Sequence, residues 1–119
     1  MKAKQQKIIS LPEIIGTLDK KPLFDARSEL YKSFNATLFL SGTVLKVVKR
    51  SGFKLYLQVD TAPSTRKMEA FCEFDETEIE KAKELKIRKD STVHLIGRFQ
   101  TCGESAMVLY GCRTSEKRK

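Results

Sequence analysis

The 119 residues contain no tryptophan, a single histidine and three cysteines. No CxxC or Cys/His spacing connects Cys72, Cys102, Cys112 and His94, so neither a zinc site nor another metal or cofactor is expected. Cys72 falls in an apolar strand pattern and Cys112 at a strand end. Both read as buried free thiols, with a Cys72–Cys112 disulfide as the alternative in an oxidising compartment. Long apolar runs are missing as well. The start, Met1 to Ser10, is basic but lacks the apolar stretch of a signal peptide, and no transmembrane span or lipidation motif follows. A cytoplasmic protein is expected, nuclear in a eukaryote, with no membrane partner. A Ser/His/Asp set, a paired-carboxylate cleft and a phosphate-cradling glycine loop are all lacking, so an enzyme is not expected, and His94 alone reads as a bystander.

What the chain has in excess is positive charge. Net charge is +8, with a pI near 9.5. Residues 1–35 contribute +3, residues 36–74 +3, residues 75–112 −1 and residues 113–119 +3. A basic balance favours a polyanionic partner through counterion release, although solubility alone also accounts for it. The apolar fraction, 40%, is sufficient for one core. The length suits a single domain.

Periodicity divides the chain. Ile8, Leu11, Ile14, Ile15 and Leu18 recur at helical spacing, with Ser10 as N-cap and Pro12 in the first turn. Gly16 weakens this helix and Lys20-Lys21 breaks it. A second helix is predicted from Pro22 at N1 to Phe34, with Leu23, Ala26, Leu30 and Phe34 near one face. Five β-segments follow: Leu38–Val48, Phe53–Asp60, Lys67–Phe74, Ser91–Gln100 and Ala106–Cys112. Gly42 falls mid-strand, where glycine marks a bulge or bend. Lys49-Arg50-Ser51-Gly52 reads as a hairpin turn. In the second segment Phe53, Leu55, Leu57 and Val59 alternate with Lys54, Tyr56, Gln58 and Asp60; in the third, Met68, Ala70, Cys72 and Phe74 alternate with Lys67, Glu69, Phe71 and Glu73. Between the third and fourth a helix is predicted from Asp75 to about Lys86, capped by Asp75, with Ile79, Ala82 and Leu85 as its apolar stripe.

The order β-β-β-α-β-β is that of an OB-fold barrel. The chain therefore reads as mainly all-β: a helical extension over residues 1–35, a five-stranded OB-fold barrel over 36–112 with one helix between strands three and four, and a basic tail over 113–119 that adds nonspecific affinity. The runs Leu40-Ser41-Gly42-Thr43-Val44, Leu55-Tyr56-Leu57, Ala70-Phe71-Cys72-Glu73-Phe74, Val93-His94-Leu95-Ile96-Gly97-Arg98 and Val108-Leu109-Tyr110-Gly111-Cys112 resemble the tRNA-anti-like group of bacterial OB-fold domains. Glu29 to Asn35 is similar to the helix that leads into the barrel in that group. Gly97-Arg98 also resembles single-stranded-DNA-binding and primosomal OB proteins. The resemblance covers roughly residues 29–112 and its motifs are short and mostly structural. Many members of the group are exported or lipid-anchored. This chain departs from them in its basic charge and in lacking an export signal, which favours an intracellular nucleic-acid role.

OB barrels bind ligand across strands two and three, between the loops joining strands one–two and four–five. On this chain Tyr56 and Phe71 would stack successive bases, and Lys46, Lys49, Arg50, Lys54, Arg66 and Lys67 would follow the phosphates, with Arg98 joining from strand four. The expected partner is single-stranded DNA or RNA, bound without strong sequence preference. Against this, Tyr56 and Phe71 can equally cover each other or lie under the N-terminal helices. Glu69 and Glu73 oppose a polyanion unless Lys54 or Lys67 pairs with them. A second reading is a protein–protein module, a small subunit or homo-oligomer docking through the N-terminal helices. It rests on the apolar stretch Ile8 to Leu18.

Overall fold

The computed structural model describes residues 7–115. Helices α1 (Leu11–Lys20) and α2 (Leu23–Tyr31) precede five strands: β1 (Thr37–Val48), β2 (Lys54–Val59), β3 (Glu69–Phe74), β4 (Thr92–Cys102) and β5 (Ala106–Thr114). A 3₁₀ turn (Glu76–Glu78) and a short helix α3 (Ile79–Glu84) lie between β3 and β4. The strands close into a barrel in the order β1-β2-β3-β5-β4, with β1 returning to β4. All neighbours are antiparallel except β3 and β5, which run parallel.

Closure depends on β1, which pairs with β4 from Thr37 to Thr43 and with β2 from Gly42 to Val48. Gly42 stands where both partners meet, opposite Val59 on one side and Val93 on the other. A Cβ there would lie 2.5 Å from the Gln58 carbonyl oxygen, so only glycine lets the backbones approach. The bulge itself falls further on. The β1–β2 register slips between Val44 and Lys46, leaving Leu45 unopposed and resetting which face the residues beyond it present.

The strand alternation sorts side chains as expected. Phe53, Leu55, Leu57, Val59, Met68, Ala70, Cys72 and Phe74 are buried in one core with Leu38, Leu95, Phe99, Met107 and Leu109. Phe53 and Phe74 meet edge to face at 5.0 Å. All three cysteines are free thiols and buried. Cys72 and Cys112 share a hydrogen bond, and this contact together with burial pushes the Cys112 thiol far up. Burial raises Cys102 to about 11 against the opposing pull of Arg66 and Arg27.

The helices belong to this same core. Ser10 accepts from the Glu13 amide at 3.2 Å while Glu13 accepts from the Ser10 amide at 2.8 Å, a reciprocal cap that starts α1 despite Gly16 in its middle. Ile9, Ile14, Leu18, Ala26 and Leu30 pack with the barrel residues. Ile8 is not helical; it forms a parallel bridge to Thr37 and remains exposed.

Other boundaries shift for local reasons. Pro22 caps α2 from outside, and the helix ends at Tyr31, three residues short of expectation. Residues 32–34 wind tighter through i to i−3 bonds, and Asn35 turns the chain with φ 73°. This rotates Phe34 out of the face that Ala26 and Leu30 bury, and Leu23 is exposed with it. The β3–β4 helix is shorter than expected and starts as a 3₁₀ turn. Asp75 caps the turn by accepting from the Thr77 amide and hydroxyl, which holds its carboxyl below the usual carboxylate range. Ala82 is buried and Ile79 packs on the core, but Leu85 is exposed because α3 ends before it. Strand β4 continues to Cys102, so the turn before β5 shrinks to Gly103–Ser105, closed by the Gly103 amide donating to the Ala106 carbonyl. Strand β5 runs past Cys112 to Thr114, which places Arg113 opposite Ile96 in the sheet. Residues 116–119 of the expected basic tail, and residues 1–6 at the start, lie outside the described residues.

Candidate nucleic-acid interface

The outward residues of the central strands line up across the barrel. Lys46 on β1 stands opposite Tyr56 on β2, Tyr56 opposite Phe71 on β3, and Phe71 beside Val108 on β5. The Tyr56 and Phe71 rings are 4.8 Å apart and tilted by 56°. The Lys46 ammonium sits 5.8 Å from the centre of the Tyr56 ring, within cation–π range. Tyr56 is 37% exposed and Phe71 half-buried. Both expectations for these rings therefore meet in one geometry. They cover each other partly, and they still present an aromatic surface with a cation at its edge. The helices do not make their packing here; α1 lies on α2 and β1, and α2 on β4.

Lys54 and Glu73 face each other one step along the ladder, and Gln58 faces Glu69 on the other side. Among the described residues the ion pairs within 4.0 Å are Lys32–Glu29 and Arg66–Asp19, so Lys54 stands opposite Glu73 without a close contact. Lys49 and Arg50 are exposed at the β1–β2 hairpin, where Ser51 and Gly52 adopt positive φ, and Lys67 is exposed just before β3. Lys46 and Lys54 thus flank the aromatic pair together with Glu69 and Glu73, and Lys49, Arg50 and Lys67 lie at the strand ends.

Two of the expected contacts sit elsewhere. The Arg66 guanidinium is engaged on three nitrogens. Nε and Nη2 bond Asp19 at 3.0 and 2.8 Å, and Nη1 donates to the Glu104 carbonyl at 2.6 Å. It ties α1 to the β4–β5 turn. Arg98 stands on β4 between Thr37 and Tyr110, and its Nη1 donates to Asn35 Oδ1 at 3.2 Å. The Tyr110 hydroxyl donates to the same oxygen.

Around Arg98 the structure gathers residues that the sequence reading did not assign to a site. The Phe34 ring lies 6.1 Å from Tyr110 and 6.2 Å from Tyr31. Tyr31 and Phe24 are 72% and 80% exposed. The available signal was the second face of α2, where Phe24 and Tyr31 recur seven residues apart, opposite Ala26 and Leu30. His94 takes no part in either cluster; its Nδ1 shares a 2.7 Å hydrogen bond with the Ser41 hydroxyl across the β1–β4 ladder.

A closed five-stranded barrel with this strand order and a helix between its third and fourth strands is an OB-fold-like domain. The chain is similar to a solved structure from Klebsiella pneumoniae subsp. pneumoniae MGH 78578, a "putative nucleic acid-binding lipoprotein", with a TM-score of 0.59 and 12% identity. The match covers 93% of this chain and 92% of that one. At this identity the likeness establishes the shared fold. No family model matches the chain, and no curated protein matches it in sequence.

Proposed function

We propose that this protein binds single-stranded nucleic acid across β2 and β3, without strong sequence preference, as a binding module rather than an enzyme. The observation that carries this reading is the Lys46–Tyr56–Phe71 row, where a cation and two rings in contact sit on the outer surface of the barrel. A base has a π-face whatever its identity, so stacking on Tyr56 or Phe71 is sequence-tolerant and contributes about 1–3 kcal/mol per base. Lys46, Lys49, Arg50, Lys54 and Lys67 supply the phosphate attraction, with Glu69 and Glu73 limiting it. Within OB-fold-like domains we read the chain as a tRNA-anti-like member acting in DNA or RNA metabolism, on the strand motifs quoted above. The Klebsiella neighbour, described as nucleic acid-binding, agrees with this reading.

The apolar stretch that suggested a docking helix is taken up by the protein itself, since Ile14, Ile15 and Leu18 are buried. The nucleic-acid reading is therefore preferred over a protein–protein module.

The test is a fluorescence-polarisation titration of labelled oligo(dT), about 30 nucleotides long, beside matched duplex at two salt concentrations. Tight, salt-sensitive preference for the single strand is expected, weakened in Tyr56→Ala and Phe71→Ala. Equal weak affinity for both, or indifference to either substitution, would remove the barrel face as a site.

A further inference from the structure

We infer that the groove between α2 and β4 is a second base-binding subsite, extending the single-strand path off the barrel face and onto the N-terminal helix. The inference rests on the nucleic-acid reading above and adds a place that OB-type recognition through strands two and three does not use.

The groove has a volume of about 430 Å³. Phe24, Arg27, Ser28 and Tyr31 of α2 form one wall, and Gln100 and Thr101 of β4 the other. The two rings are among the most exposed large apolar side chains of the described residues. They lie seven positions apart on one helix face, with the Arg27 guanidinium and the Ser28 hydroxyl between them. On the β4 side exposed Gln100 and Thr101 form the lip, and buried Leu30, Phe99 and Cys102 floor the groove. The β4–β5 register slips between Phe99 and Thr101, so Gln100 has no partner across the ladder and its residue lines the groove instead. The groove thus combines aromatic faces, a cation, a hydroxyl and an amide. No carboxylate lines it, and the nearby Glu29 of α2 is paired with Lys32. That chemistry suits a nucleobase and its phosphate: π-faces for the ring, a guanidinium for the anion, and hydrogen-bonding groups for the base edge.

The second argument is continuity. Thr101 stands opposite Val108, Val108 beside Phe71, and Phe71 opposite Tyr56. One register row therefore leads from the proposed stacking pair to the lip of the groove. Three strand-to-strand steps span about 14 Å. Beyond the groove, Tyr31 continues through Phe34 to Tyr110 and the Arg98 cation. A strand leaving Phe71 along this row arrives at further aromatic surface.

The test is a length series of labelled oligo(dT), about 3, 8 and 30 nucleotides, the shortest too short to reach from Tyr56 into the groove, against wild type, Tyr56→Ala, Arg27→Gln and the double variant Phe24→Ala/Tyr31→Ala. Both rings are exposed, so the double variant leaves the core intact, which a thermal melt verifies. Wild-type affinity should rise with length. The double variant should bind the shortest oligonucleotide as wild type does and lose about 5- to 150-fold on the longer ones, the effect of one lost stack. Arg27→Gln should weaken the longer oligonucleotides and reduce their salt dependence. If the double variant matches wild type at every length while Tyr56→Ala is impaired, the groove is not a subsite and the barrel-face reading stands. If wild type binds no oligonucleotide, both fall. If the double variant keeps its affinity but turns a wild-type dimer into a monomer by sedimentation, the groove belongs to a second copy of the chain and the inference is overturned.

Discussion

Lys46 and Arg66 carry the same charge and do different work. The Lys46 ammonium is exposed beside the Tyr56 ring, with no ion pair within 4.0 Å among the described residues. The Arg66 guanidinium already serves Asp19 and the Glu104 carbonyl, and only 23% of its side chain meets solvent. Charge alone does not separate them; the partners do. Lys46→Gln should reduce the slope of log affinity against log salt by about 0.7, the value for one phosphate contact on a single strand, without moving the melting temperature. Arg66→Gln should leave that slope in place and cost about 1–2 kcal/mol of stability by denaturant melt, most of it from the carbonyl bond because Asp19 is half-exposed. A slope change in Arg66→Gln would return that residue to the binding surface.

Among the elements, α1 shows how an extension becomes core. Its reciprocal cap fixes where it starts, and Ile14 then reaches full burial among barrel side chains. Ile14→Ala should cost about 2–5 kcal/mol, read as a lower midpoint in urea; a loss under about 1 kcal/mol would mean that the barrel stands without the helix. The strands were the legible elements. Period-two alternation over Phe53–Asp60 and Lys67–Phe74 named the buried residues because a half-buried strand leaves no other arrangement. Helix ends were less legible. Tightening after Tyr31 and the positive φ of Asn35 are backbone events that side-chain periodicity does not record, and they decide that Phe34 turns outward. For the same reason the site was half legible. Tyr56 and Phe71 follow from alternation and register, and Lys46 turns outward because the bulge at Leu45 resets the phase of β1, whereas the Tyr31–Phe34–Tyr110 cluster joins residues far apart in sequence through a turn and a strand pairing. Arg66 and Arg98 were drawn to the site by charge, a property that carries no direction.

At the scale of the whole molecule, the core holds groups that are neutral only within limits of pH. Cys102 titrates near 11 in the fold against 9.0 for a free thiol, and Cys112 is raised further. A thiol raised by folding contributes stability that is fully present below the unfolded value and is lost as pH rises through the folded one. Stability should therefore hold to about pH 9 and decline toward pH 11, and Cys102→Ala should decline less steeply in urea melts at those pH values. Identical profiles would show that the thiol is not shielded. Closure of the barrel bears on how this protein meets others. An open sheet offers its main-chain amides and carbonyls to any extended peptide that adds itself as another strand. Among the described residues no strand is left as such an edge, because β1 serves β2 at one end and β4 at the other. A partner finds no full-length strand to extend, so what this molecule recognises is read mainly by the side chains it wears on the outside.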